Sequence, residues 1–220
     1  IYHDKKILIT GNTGFKGSWL SIWLNSLGAK VYGLSKDVPT EPSMYTELVL
    51  KKIITHHQED VSNYLAVKEI IELVQPDFLF HMAAQPIVAT SYKDPMDTIT
   101  TNVMGTANIL ESLRELNQKC TAIVITSDKC YENVEWVWGY KESDAVGGQD
   151  IYSGSKGAAE LIFKSYYHSF FKNTDKSNVR VASVRAGNVI GGGDWAKDRI
   201  IVDCMTVSYT HLTLPTNREV

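Results

Sequence analysis

The sequence predicts a doubly wound α/β domain on a parallel sheet, and three observations carry that prediction. Short runs rich in β-branched and aromatic residues alternate with longer amphipathic stretches, the pattern of successive βαβ units. A glycine-rich turn, Gly11-Asn-Thr-Gly14-Phe-Lys-Gly17, directly follows the first run and opens into a helical pattern. The 220 residues are 44% hydrophobic and 21% charged with a net charge of −3, enough apolar material for one substantial core. The same balance excludes other classes. No apolar run approaches the roughly 18 residues of a membrane span, and no basic block offers nucleic acid a counterion-releasing surface. Disorder, collagen and coiled coil are equally excluded.

The elements follow in order. The first strand is expected at 6–10. A helix comes next, with Phe15, Trp19, Ile22, Trp23 and Leu27 as its apolar stripe and Gly28 at its C-terminal cap. Strands are expected at 30–35 and 53–56, then a helix at 65–74 closed by Pro76, and a strand at 78–81. A helix over about 97–116 carries Ile109, Leu110, Leu113 and Leu116. The last elements are a strand at 122–127, a helix over about 152–171 and a strand at 180–185. Six strands with interleaved helices predict the sheet order 3-2-1-4-5-6. The longest irregular stretch, 132–149, holds Trp136, Trp138 and Gly147-Gly148, and a loop of that length in a compact domain points to function.

Three cysteines, Cys120, Cys130 and Cys204, form no CxxC pair and make an odd total, which predicts reduced thiols, no disulfide framework and no metal site. With no basic and apolar leader visible, a cytoplasmic location is expected. The chain starts at Ile1, which reads as a late entry into the frame. Residues 207–220 read, codon by codon over 207–216, as a translated sequencing adapter. On that reading 1–206 is the biological part, a dinucleotide-binding domain with the start of a substrate lobe, and the natural protein is longer.

The glycine turn carries the first chemistry. Gly11 permits the tight turn, Gly14 lets backbone approach a pyrophosphate, and Gly17 allows close helix–strand packing, while the helix N-terminus favours negative charge. The cradle therefore comprises Gly11, Thr13, Gly14, Phe15, Lys16 and Gly17. After the second strand, either Ser35 or Asp37 accepts the ribose 2′-hydroxyl. With no arginine adjacent for a 2′-phosphate, NAD is expected over NADP, although Lys36 lies between the two. Asp60 and Val61, after the third strand, are placed to cradle the adenine.

Tyr152 and Lys156 stand one helical turn apart at the start of the helix after the fifth strand, and Ser127 ends that strand at the carboxyl edge, where ligands bind. A phenol is a poor base at neutral pH, and the Lys156 cation is expected to lower the Tyr152 pKa. Ser127 would orient a substrate alcohol while Tyr152 takes its proton and NAD its hydride.

These residues resemble the extended short-chain dehydrogenase/reductase family, the NAD-dependent epimerases and dehydratases, over almost all of 6–206. Three long strings sharpen the likeness to its nucleotide-sugar 4,6-dehydratase branch: Gly14-Phe-Lys-Gly-Ser-Trp-Leu20, Ser127-Asp-Lys-Cys-Tyr-Glu-Asn-Val-Glu-Trp136 and Arg185-Ala-Gly-Asn-Val-Ile-Gly-Gly-Gly-Asp-Trp195. The resemblance implies a Rossmann-type fold, tightly held NAD and CDP-glucose as substrate. It also implies a 4-keto-6-deoxy product of use in bacterial surface polysaccharide such as O-antigen.

By the same resemblance Asp128 protonates the leaving C6 hydroxyl and Lys129, where relatives carry glutamate, takes the C5 proton. Burial or the neighbouring Lys156 would keep Lys129 neutral for that task. Ala83 and Ala84 let the cofactor lie against backbone, Asn102 supports the active-site lysine through water, and Asn188 and Arg199 contact the nucleotide diphosphate. His81 reads as a packed core histidine and Cys130 as an inert thiol. Trp136, Trp138 and Trp195 either stack on cytosine or pack within loops. Asn12 stands where the family commonly has histidine, and the later part of the substrate lobe is absent.

The resemblance further implies a homodimer joined through the helices after strands four and five, and a 220-residue chain that binds NAD weakly and turns over little. Three rival readings stay open: a nucleotide-sugar 4-epimerase, a dehydratase of dTDP- or GDP-linked sugars, and a non-catalytic NAD-binding regulator.

Overall fold

The computed structural model describes residues 1–175 and 177–211. Six strands, β1 (Lys6–Thr10), β2 (Lys30–Ser35), β3 (Thr55–Gln58), β4 (Phe78–His81), β5 (Cys120–Ser127) and β6 (Val179–Ala186), form one sheet in the order β3-β2-β1-β4-β5-β6. Every pairing is parallel, and Thr10 lies opposite both Leu34 and His81. The order reverses between β1 and β4, which opens a crevice at their carboxyl ends.

Successive β1 side chains face opposite ways. Leu8 joins a core with Ile71, Leu79, Ile109, Leu113 and Val124, whereas Ile7 and Ile9 join one with Leu24, Val31, Tyr45 and Leu50. Both faces of the sheet are thus covered, as buried parallel strands require.

The third strand starts two residues later than the sequence suggests. Ile53 and Ile54 close a short turn over Leu50–Lys52, with Ile54 N–H donating to the Leu50 carbonyl at 3.0 Å. The paired residues are the polar Thr55, His56, His57 and Gln58, which an edge strand tolerates. Strands β5 and β6 run slightly beyond their expected bounds.

Helix α1 (Phe15–Ser26) corrects a second expectation. Its buried residues are Gly17, Ser18, Ser21 and Leu24; of the expected apolar stripe, Trp19, Trp23 and Leu27 face solvent, with Trp19 50% and Trp23 64% exposed, while Ile22 is partly buried against the core and Phe15 borders the carboxyl-edge cleft. Close approach to the glycine turn decides this: a Cβ on Gly17 would lie 2.1 Å from the Gly11 carbonyl oxygen, so only small residues fit the inward face. The Ser18 hydroxyl donates to the Asn12 carbonyl at 3.1 Å, and that of Ser21 to the Gly17 carbonyl at 2.7 Å.

A short helix, α2 (Met44–Glu47), precedes β3, and α3 (Tyr64–Val74) ends at Gln75, just before Pro76. Beyond β4 come α4 (Val88–Lys93), α5 (Pro95–Ile99), a wide π-type turn (Thr100–Met104) and α6 (Gly105–Arg114), with Ile109, Leu110 and Leu113 buried as expected. Helix α7 (Ile151–Tyr166) is capped by Asp150, whose carboxylate accepts from Ser153 N–H at 3.0 Å, and a second π-type turn extends it to Phe171. Helix α8 (Ile200–His211), which the sequence pattern did not suggest, spans the expected boundary at residue 206. The rest of the adapter-like tail, 212–220, lies outside the described residues.

No helix among the described residues is long and apolar enough to cross a membrane. Cys120 and Cys130 are buried free thiols and Cys204 an exposed one.

Candidate active site

A cleft of about 750 Å³ opens at the carboxyl edge of the sheet. Of the residues expected from sequence, Gly11, Thr13, Gly14, Phe15, Lys16, Gly17, Ser35, Asp37, Asp60, Val61, Ala83, Ala84, Ser127, Lys129, Tyr152, Lys156, Asn188 and Arg199 line it. Asp128 and Asn102 do not.

Backbone forms the β1 end of the cleft. Gly11 has φ +72°, and a Cβ there would sit 2.8 Å from Ala83 N, so only glycine lets this turn lie against the β4 end. No side chain caps the start of α1 at Gly14, which leaves its first amides and the positive end of its dipole to the cleft. This cradle fits the paired phosphates of a dinucleotide. Behind it, Asn12 is fully buried: its carboxamide oxygen accepts from Ser35 Oγ at 2.8 Å and its Nδ2 lies 3.2 Å from His56 Nδ1. The Ser35 hydroxyl also accepts from Thr13 N–H at 3.4 Å, so it braces the turn. Asp37 is exposed and presents its carboxylate at the cleft wall. Asp60 Oδ1 accepts from Ser62 N–H at 2.8 Å, and the buried Val61 gives its carbonyl to Asn108 Nδ2 at 2.9 Å.

The β5 end holds reactive side chains. Tyr152 and Lys156 are buried on α7, with Lys156 Nζ 5.9 Å from the Tyr152 ring centre. The expected lowering of the phenol by Lys156 is not what the environment produces. Burial raises the Tyr152 pKa, opposed by a hydrogen bond with Ser127 and by the charge of Arg199. Burial also depresses Lys156 itself to about 8, with the Lys16 cation adding to the effect. At neutral pH Lys156 therefore still carries its proton, while the Tyr152 phenol is held neutral by burial against the opposing pull of Ser127 and Arg199.

Asp128 and Lys129 lie on the short turn Asp128–Cys130 that follows β5. Ser127 Oγ donates to Asp128 Oδ1 at 3.0 Å and accepts from Lys129 N–H at 3.2 Å, so the serine orders the turn. Lys129 is exposed, which removes burial as a means of neutralising it.

Asn102 is buried and fully engaged within the fold. Its Oδ1 accepts from Gln85 N–H at 2.8 Å and its Nδ2 donates to Ser155 Oγ at 2.9 Å. It therefore clamps the β4 loop to the residue preceding Lys156 and makes no cleft contact. His81 is a core residue, its ring nitrogens held by Thr10 at 2.8 Å and Thr106 at 3.3 Å, and burial depresses it to about 3.

The third wall is the segment between β6 and α8. Arg199 Nε lies 3.4 Å from the Asp194 carboxylate, and Trp19 Nε1 donates to the Gly192 carbonyl at 2.9 Å, tying this segment to α1. None of Trp136, Trp138 and Trp195 lines the cleft. Trp136 packs instead against Trp138 and Tyr140, at 6.1 and 5.3 Å between ring centres.

Sequence reasoning missed the brace beneath this site. The buried carboxylate of Glu160 accepts from Arg185 Nη2 at 3.1 Å and from Thr126 Oγ1, and the Arg185 guanidinium stacks on Tyr131 at 4.6 Å. The signal was present, since Tyr152, Lys156 and Glu160 share one four-residue spacing on α7.

The pattern of the GDP-mannose 4,6 dehydratase family matches residues 8–180. The chain belongs to that family. CDP-glucose 4,6-dehydratase of Salmonella typhimurium is 48% identical over 206 residues, covering 93% of this chain and 57% of that protein. CDP-paratose 2-epimerase of Salmonella typhi is 30% identical, covering 77% of this chain and 55% of that protein. The chain thus spans little more than half the length of these curated relatives. Among solved structures, Pal from Bacillus thuringiensis superimposes with a TM-score of 0.80 at 24% identity over 93% of this chain and 63% of that one. The Thermus thermophilus UDP-glucose 4-epimerase complex with NAD gives 0.73 at 24% identity, over 88% and 58%. Both carry the Rossmann-type fold found for this dehydratase-family chain.

Proposed function

We propose that this chain is the dinucleotide-binding part of an NAD-dependent nucleotide-sugar 4,6-dehydratase that converts CDP-glucose to CDP-4-keto-6-deoxyglucose. The observation that carries the reading is one cleft lined by both the glycine turn and the Ser127, Lys129, Tyr152 and Lys156 side chains. The 48% identity to the Salmonella typhimurium enzyme supports the choice of sugar nucleotide.

Gly11, Gly14 and Gly17 with the start of α1 would hold the NAD pyrophosphate, Asp37 the adenosine ribose, and Lys156 the nicotinamide ribose. NAD, when bound, accepts hydride from sugar C4 and returns it to C6. The chain supplies the proton chemistry. Ser127 orients the C4 hydroxyl and Tyr152 takes its proton. Asp128 protonates the departing C6 hydroxyl so that it leaves as water, and Lys129 takes the C5 proton made acidic by the C4 ketone and returns it to C5 as hydride reaches C6. Asp128 does not line the cleft itself and is tied to it through Ser127, whose Oγ donates to Asp128 Oδ1 at 3.0 Å. Arg199, Lys16 and Asn188 supply cationic and polar groups for the nucleotide diphosphate.

A homodimer through α5 to α7 belongs to the same reading, supported by the exposed Met96, Met104 and Leu161.

The test is product mass after CDP-glucose and catalytic NAD meet the protein extended to the length of its relatives. Loss of one water supports the dehydratase. An unchanged mass with altered sugar configuration makes it a 4-epimerase. Reaction only with dTDP- or GDP-sugars moves the specificity, and inertness toward all of them favours a regulator.

A further inference from the structure

We propose that Asp97, together with Asp60, makes the dinucleotide site selective for NAD over its 2′-phosphorylated form by holding Lys36 in an ion-pair clamp. The proposal rests on the reading of the cleft as an NAD site and assigns to that site a selectivity device whose anchor, Asp97, lies outside its walls.

The carboxyl end of β2 presents adjacent residues of opposite sign, Lys36 and Asp37, both exposed and both lining the cleft. On sequence alone the pair is ambiguous: an acid there accepts a ribose 2′-hydroxyl, whereas a cation there attracts a 2′-phosphate. The fold resolves it. Lys36 Nζ lies 3.3 Å from Asp97 Oδ1 and 3.8 Å from Asp60 Oδ2. Asp97 comes from the first turn of α5, 61 residues away, where its amide donates to Asp94 Oδ1 at 3.0 Å. It does not line the cleft, so its contact with Lys36 is made from behind.

Two carboxylates, Asp97 and Asp60, thus hold one ammonium and Asp37 adds a further negative charge nearby, so the local charge is negative. Burial works to lower the Lys36 pKa, yet these carboxylates, Asp97 foremost, hold it above the ordinary lysine value, so the cation is persistent and already partnered. A ribose hydroxyl loses nothing in this field and can donate to Asp37. A doubly charged 2′-phosphate meets net repulsion, and the lysine that would bind it is engaged elsewhere.

The experiment is calorimetric titration of the 220-residue chain with NAD and with NADP. The unaltered chain is expected to bind NAD at least about ten-fold more tightly. Asp97→Asn removes the nearer carboxylate and leaves Lys36 only its longer contact with Asp60, and should narrow the preference about five-fold, mainly by strengthening NADP. Adding Lys36→Ala to Asp97→Asn should restore the preference, because the freed cation is gone. Asp97 is at the surface, and an unchanged thermal midpoint verifies that the variant folds. A preference unaltered by Asp97→Asn overturns the clamp, as does an NADP gain that survives in the double variant. If the unaltered chain binds NAD and these ratios do not move, only the clamp fails. If it binds neither dinucleotide, the cofactor reading falls and the clamp with it.

Discussion

β1 and β6 belong to one sheet and have opposite surroundings. From Ile7 to Thr10 every β1 residue is buried, whereas β6 alternates, with Val184 48% exposed. β1 lies at the centre, covered on both faces, and the adjoining half of the cleft is made largely of backbone, with Gly11 and Gly17 pressed against Ala83 and the turn itself. β6 is an edge strand. The half of the cleft beside it is made of long charged side chains, Lys129, Lys156 and Arg199, and of a segment carrying the exposed Ile190 and Trp195. The dinucleotide half owes its shape to close packing. The half beside β6 owes its chemistry to groups held by a few polar ties.

That contrast can be broken most severely at Gly17. Gly17→Ala places a methyl 2.1 Å from the Gly11 carbonyl oxygen, and the backbone there has nowhere to move. The expected loss is more than about 3 kcal/mol, a fall in the thermal midpoint of roughly ten degrees. A midpoint within two or three degrees of the parent would mean that the dinucleotide half is not close-packed.

Lys156 sits where the halves meet. Its folded pKa of about 8 lies below the ordinary 10.5, so between those values the unfolded chain holds more protons than the folded one. Stability must therefore rise with pH through that window. The burial penalty, on the order of 3 kcal/mol, is fully present below pH 8 and relieved by about pH 10.5. Urea denaturation of the parent and Lys156→Met at pH 7 and pH 10 should show the advantage of the variant shrinking at the higher pH. An advantage that grows instead contradicts the buried-cation account.

On the β6 side, Glu160→Gln should remove about 2 kcal/mol. This is less than a wholly buried pair would lose, because Arg185 still reaches solvent through its 17% exposed side chain. Denaturant midpoints measure it, and a neutral result would mean that Tyr131 alone holds Arg185.

The smallest effect is expected at the tie between the halves. Trp19→Phe deletes the donor to the Gly192 carbonyl at an exposed site, and should lower stability by about 1 kcal/mol or less while speeding proteolysis within 187–199. Unchanged cleavage there would show that Arg199 and Asp194 hold the segment unaided.

Much of this molecule was legible from residue order. Strand spans and sheet order follow from apolar patterning and from the alternation of strands with helices, and the glycine spacing announced a phosphate cradle because few other turns need glycine at those three places. Local spacing also marked Tyr152 and Lys156.

What pattern could not decide was which neighbour each polar group would meet. The tryptophans of α1 form a convincing apolar stripe, yet they face solvent, because the glycine turn admits only small residues beneath that helix. Ser35 and Asp37 were equivalent as acceptors until Asn12 and Thr13 engaged the serine. Nothing in residue order showed that the Asn102 amide would bridge Gln85 and Ser155. Lys36 was ambiguous until Asp97 arrived from 61 residues away. The sequence by itself determined the order of elements, the phosphate turn and the reactive helix, because these depend on contacts within a few residues. Only the tertiary structure decided how each charge is paired, exposed or desolvated, because Coulomb and desolvation energies depend on distances in space that residue order does not contain.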